Sequence, residues 1–97
     1  MTFRRAAKVD ANQPEIVEAF RKMGCSVLII SQLKGCLDLV VAKNRKTVIV
    51  EVKDGSKPPS ARQLTPLERV FLDAWRGEAV IVESLDDVLR VVKELEA

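Results

Sequence analysis

Three charged residues, Asp38, Glu51 and Lys53, interrupt the otherwise aliphatic ends of the stretch running from Asp38 to Lys53. A carboxylate in apolar surroundings is costly unless it is paired or holds a metal. The chain has no histidine, and its two cysteines, Cys25 and Cys36, do not have zinc-type spacing. An all-oxygen ligand set of this kind suits a hard divalent ion, Mg2+ or Mn2+. Such an ion acidifies a bound water and holds a phosphoryl oxygen. A neighbouring lysine can orient or deprotonate that water, or neutralise charge developing on the phosphate. Asp38 and Glu51 are the candidate ligands, with the Val52 backbone carbonyl as a further one, and Lys53 is the candidate catalytic lysine.

Those residues need a hairpin to bring them together. Leu39–Ala42 and Thr47–Val52 read as two strands, and Asn44-Arg45 can supply the turn because Asn tolerates a positive φ. A loop centred there pairs residues whose numbers sum to 89, which sets Asp38 opposite Glu51. Directly opposed residues have Cβ atoms ~5 Å apart on one side of the sheet. Lys53, two residues beyond Glu51, projects from that side as well. A slip of one residue would send Asp38 to the other face. The plainer alternative is a half-exposed hairpin in which Glu51 and Lys53 form a surface ion pair worth ~0–1 kcal/mol.

The elements around the hairpin follow from helix and turn signals. Residues 1–11 form a basic arm carrying Arg4, Arg5 and Lys8, and residues 12–97 form a single domain. Asn12 caps a helix to about Met23, with Pro14 in its first turn and Gly24 as its stop. Ile16, Ala19, Phe20 and Met23 share a face, with Val17 at its edge. Glu15 borders that face, where it could either serve the helix start or reach a site beneath. Cys25–Ile30 is a short strand, and Asp54–Gln63 is a Gly/Pro/Ser-rich loop. Thr65, Pro66 and Glu68 open a second helix with the signature of a capping box. Its apolar face is Leu67, Val70, Phe71, Ala74 and Trp75. Ala79–Val82 reads as a strand covered on both sides and paired in parallel with an earlier one through that helix. Ser84 caps a last helix with Leu85, Val88, Leu89, Val92 and Leu95 inward. The order is α-β-β-β-α-β-α, an α/β fold with a mixed central sheet flanked by helices.

With these surroundings, the residues resemble the PD-(D/E)xK nucleases, and most closely the VRR-NUC family. The counterparts are Glu15, Gly35-Cys36-Leu37-Asp38, Glu51-Val52-Lys53 and Leu64-Thr65-Pro66-Leu67-Glu68, in order over about residues 12–94. Leu37 stands where the family has Pro, and Glu68 where it usually has Gln. Glu68 could simply complete its capping box, leaving Gln63 to supply an amide. The resemblance implies a restriction-endonuclease-like fold and a Mg2+- or Mn2+-dependent deoxyribonuclease. Asp38 and Glu51 would be its metal ligands, Lys53 its catalytic lysine and Glu15 a helix-borne contributor. It also implies branched DNA as substrate, cut in the manner of a Holliday junction resolvase in replication, repair or recombination, and a homodimer. Leu72, apolar but off the inward face of its helix, is the one hint of a dimer in the residues themselves.

Composition fits such a partner without demanding it. The chain has 97 residues, of which 47% are hydrophobic and 31% charged, with a net charge of +2. Residues 1–62 carry 12 Lys/Arg against 6 Asp/Glu, whereas residues 63–97 carry 4 against 8. Clustered Lys/Arg neutralise phosphates, and Lys34, Lys43, Arg45, Lys46, Lys57 and Arg62, with Arg69, are the candidate DNA contacts. Few aromatics are free for stacking, so backbone and shape recognition is expected. No membrane span and no signal peptide is read, which points to a cytoplasmic protein that is not secreted. A non-catalytic DNA-binding module using the same basic surface is the competing reading. A protein-interaction domain using the acidic last helix is a third.

Overall fold

The computed structural model describes residues 9–97, so Arg4, Arg5 and Lys8 of the expected arm lie outside the described residues. The chain runs α1 (Gln13–Lys22), β1 (Ser26–Ile29), β2 (Leu39–Lys43), β3 (Lys46–Val52), α2 (Pro66–Ala74), β4 (Ala79–Val82) and α3 (Leu85–Glu96). A 3-10 turn at Pro59–Ala61 precedes α2. The architecture is α/β in the expected order, with one mixed four-stranded sheet. The strands lie as β1-β2-β3-β4, with β1/β2 and β2/β3 antiparallel and β3/β4 parallel. Parallel neighbours cannot be joined by a tight turn, and α2 supplies the crossover. β4 is consequently an edge strand. Its aliphatic run is only partly buried, contrary to the expectation of cover on both sides, and Ile81 is exposed.

Alternation along the strands sends Leu39, Val41, Val48, Val50 and Val52 to one face of the sheet, where α1 and α3 cover them. Ile16, Val17 and Phe20 of α1 and Val88, Val91, Val92 and Leu95 of α3 complete that core. α1 stops as expected at Gly24, whose φ is +85°. The amides of Gly24 and Cys25 bond back to Arg21 O and Phe20 O, closing the last turn. Ser84 caps α3 by accepting from the Asp87 amide. The inward stripe of α3 runs through Val88, Val91, Val92 and Leu95. Leu85 and Leu89, expected inward, fall to one side of that stripe and are exposed.

The largest departure is α2. Its expected core face buries nothing, and Leu67 and Val70 are 56% and 65% exposed. The helix meets the sheet through Glu68, which contacts Lys53. Lys53 alternates with the core residue Val52, so α2 starts over the opposite face. There the strands offer Ile49, Glu51 and Lys53, and the aliphatic Leu28 and Ile81 of the same face are left exposed. Phe71 and Trp75 stack on each other with centroids 5.3 Å apart, and Trp75 remains exposed. Leu72 is half-buried.

Candidate active site

The hairpin has the expected register. Asn44 and Arg45 both have positive φ, 55° and 66°, as a type I′ turn requires. The pairs from Lys43↔Lys46 to Leu39↔Val50 all sum to 89. The ladder ends at that last pair: beyond it the Asp38 amide donates to Val50 O at 3.0 Å, a pair that sums to 88 and is one residue out of the register. Asp38 nevertheless lies beside Glu51, with which its side chain shares a hydrogen bond. Its Oδ2 accepts the Val52 amide at 2.8 Å, and its own carbonyl accepts from Ile30 N–H at 2.8 Å and from Ser31 Oγ at 3.4 Å. In a strand the N–H and C=O of one residue point the same way, so the Val52 carbonyl is directed to the Asp38 side of β3.

Glu51 and Lys53 are 2% and 8% exposed, which removes the half-exposed hairpin alternative. Lys53 Nζ lies 3.3 Å from Glu51 Oε2 and 2.9 Å from Glu68 Oε1. The other Glu51 oxygen, Oε1, is buried without a donor. Burial pushes the Glu51 carboxyl up to about 9, helped by its hydrogen bond with Glu68 and by the charges of Asp38 and Glu68, with Lys53 offsetting only part. Burial also raises Asp38, against the Val52 amide bond and hydrogen bonds from Glu51 and Ser31. Burial opposes ionisation of Glu68, but hydrogen bonds from Glu51, Thr65 and Lys53 outweigh it and hold Glu68 down near about 2. Burial likewise works against the Lys53 ammonium, and Glu68 and Glu51 overcome it, so the lysine stays charged. Glu51, pushed towards its neutral form, thus sits against the ion pair of Lys53 and Glu68.

Glu68 completes the capping box, as expected, and reaches the site in addition. Gln63 is exposed and takes no part in these contacts. Glu15 lies apart from these contacts. It is exposed and lines a cleft with Asn12, Asp54, Gly55 and Glu83, and none of the hydrogen bonds or ion pairs of the cluster involves it. Asn12 makes no side-chain cap. Its Nδ2 donates to Lys53 O at 3.1 Å and to Glu83 O at 3.4 Å, tying the start of α1 to the ends of β3 and β4. The α1 residue directed at the site's backbone is Gln13, which is buried and donates through Nε2 to Ser31 Oγ at 2.9 Å. Gln13 continues the stripe of Ile16, Val17 and Phe20 at i, i+3, i+4, i+7, and that spacing was the signal for it.

The basic residues do not form one surface. β3 runs from Lys46 to Val52, six steps or about 20 Å, so Lys43, Arg45 and Lys46 sit at the far end of the sheet from Glu51 and Lys53. Lys43 Nζ donates to Met23 O at 2.7 Å and pairs with Glu96 at 2.8 Å, and Lys46 Nζ bonds Ala97 O. At the near end Arg62 pairs with Glu83 at 2.8 Å. Lys34, Lys57 and Arg69 are exposed.

Among the described residues, no three or more Asp, Glu, Cys or His side chains gather so as to hold a metal ion, and no helix is long and apolar enough to cross a membrane. Two carboxylates do face each other. Magnesium sites commonly use one or two carboxylates and keep several waters, so Asp38, Glu51 and the Val52 carbonyl fit such an ion. The donor-less Oε1 of Glu51 is the atom with most to gain from it. The chain matches no protein-family model, no curated protein and no solved structure.

Proposed function

We propose that the protein is a Mg2+- or Mn2+-dependent DNA endonuclease of the VRR-NUC type within the PD-(D/E)xK nucleases, acting on branched duplex as a homodimer. The observation that carries this reading is the meeting of the Asp38 and Glu51 side chains at the end of β3, with the buried Lys53 two residues on from Glu51. Asp38 and Glu51 would hold the ion, with the Val52 carbonyl beside them. When bound it would supply positive charge to a phosphoryl oxygen and acidify a water. Lys53, kept charged by its two carboxylate partners, is placed to neutralise charge developing on the phosphate. Lys34, Lys57 and Arg62 on the neighbouring loops are the residues near enough to bind flanking phosphates. Glu15 has no role in this reading.

The test is cleavage of four-way-junction, flap and linear DNA by the purified chain in Mg2+, Mn2+ or EDTA. Cutting should need a divalent ion, favour the branched substrates and be lost in Lys53→Ala. Equal cutting by Lys53→Ala and wild type would sink the assignment. DNA retention in EDTA without cutting in any metal would favour the binding-module alternative.

A further inference from the structure

The first turn of α2 and the lysine of the site share one oxygen. Glu68 Oε1 accepts from Lys53 Nζ at 2.9 Å and from the Thr65 amide at 2.8 Å. Thr65 Oγ1 in turn accepts from the Glu68 amide at 3.2 Å. The carboxylate is thus fixed to the backbone of its own helix and faces the lysine across the loop of residues 54–64. The second partner of Lys53 is Glu51 at 3.3 Å. A divalent ion taken by Asp38 and Glu51 would engage the oxygens of that partner and repel the ammonium. A lysine held by Glu51 alone would then be free to swing away on its four-carbon stem. α2 offers it no fully buried side chain to pack against.

On the nuclease reading above, we infer that Glu68 is a positioning residue for Lys53, anchoring the ammonium at the α2 cap while Glu51 is engaged with the cation. A capping glutamate that served only its helix would need neither the 2.9 Å contact nor a direction towards β3. The anchor also fixes both ends of the loop carrying Lys57 and Arg62, since that loop runs between Lys53 and the α2 cap.

Single-turnover cleavage of a four-way junction in Mn2+ tests this with the full chain. Glu68→Ala should lower the rate by about 10²-fold, the cost of a misplaced group. The half-saturating Mn2+ concentration and DNA retention in EDTA should stay at wild-type values. Glu68→Gln, which keeps an oxygen for both donors but no charge, should fall between. Thr65→Ala weakens the cap but leaves the ion pair, and it should cut at the wild-type rate. A Glu68→Ala variant cutting as fast as wild type overturns the inference while leaving the nuclease reading standing. So do equal losses in Thr65→Ala and Glu68→Ala, because the cap alone would then explain them. A wild type that does not cut in any metal tells against the nuclease reading instead. The pairing is then judged by amide exchange at Thr65 in Lys53→Met: several-fold faster exchange supports the shared oxygen, and unchanged exchange overturns it.

Discussion

The two faces of the sheet are built from the same strand and do opposite things. Along β3, Val48, Val50 and Val52 turn to the face closed by α1 and α3, while Ile49, Glu51 and Lys53 turn to the face where α2 begins. Val50 is 0% exposed and Glu51 2%, so the two are buried almost equally. Burying a valine stabilises by roughly 1.5–3 kcal/mol, whereas burying a carboxyl costs stability unless it is fully partnered. One Glu51 oxygen has no donor. Burial on the first face therefore makes the fold, and burial on the second leaves a carboxyl oxygen without a partner.

The sharpest way to break that contrast is one substitution on each face. Glu51→Gln should cut cleavage by about 10³-fold or more, since metal charge stabilisation is worth several kcal/mol, and its melting temperature should not fall. Phe20→Ala, on the core face and fully buried, should cost about 3–5 kcal/mol of stability. Its remaining folded fraction should cut at the wild-type rate. Cleavage and denaturant unfolding on both variants check the pair. A Glu51→Gln protein destabilised as much as Phe20→Ala would mean that Glu51 holds the fold.

The two faces also differed in how far the sequence exposed them. The core face was readable from period alone, because Ile16, Val17 and Phe20 recur at helix spacing and the strands alternate. The hairpin register was readable because Asn44 announced the turn and the turn fixes the pairing, whereas the break in that pairing at Asp38 was not. What could not be read was α2. Leu67, Val70, Phe71 and Trp75 have a proper amphipathic spacing, and periodicity reports a face without saying whether anything covers it. Glu15 is exposed beside the apolar stripe, and it is Asn12 and Gln13 that bond towards the end of β3 and Ser31. The spread of the basic residues was not readable, because charge counted along a sequence does not reveal that Lys43 and Lys46 are tied to the end of α3. That tie depends on contacts more than 50 residues apart.

A smaller effect separates the faces by pH. The Glu51 carboxyl is raised from 4.5 to about 9, so in that window the folded protein holds a proton that the unfolded chain has already lost. Its contribution is complete below pH 4.5 and disappears as pH rises through 9. Asp38, also raised, acts in the same sense above its ordinary 3.8. Glu68 is opposite: lowered to about 2, it contributes above pH 4.5 and loses that contribution as pH falls through 2. In EDTA the melting temperature should therefore decline from pH 5 to pH 9, and Glu51→Gln should flatten the decline. Valines on the core face have nothing to titrate, so Val50→Ala should lower the whole curve without changing its slope. A flat wild-type curve in EDTA would show that Glu51 is ionised in the folded protein.

The gentlest test sits at the turn that makes the faces what they are. Arg45 has φ 66°, a region where a side-chain-bearing residue other than Asn or Asp is disfavoured by about 1 kcal/mol. Glycine has no such penalty but loses more freedom on folding. Arg45→Gly should therefore be neutral to slightly stabilising, by at most ~1 kcal/mol. Asn-Gly is the preferred pair for this turn type, so the register and both faces should be preserved. Arg45 is also at the end of the sheet remote from Glu51 and Lys53, and the variant should bind and cut junction DNA as wild type does. Thermal melts beside a cleavage assay read both expectations. A large loss of DNA affinity with an unchanged melt would place the hairpin tip among the DNA contacts of the proposed nuclease.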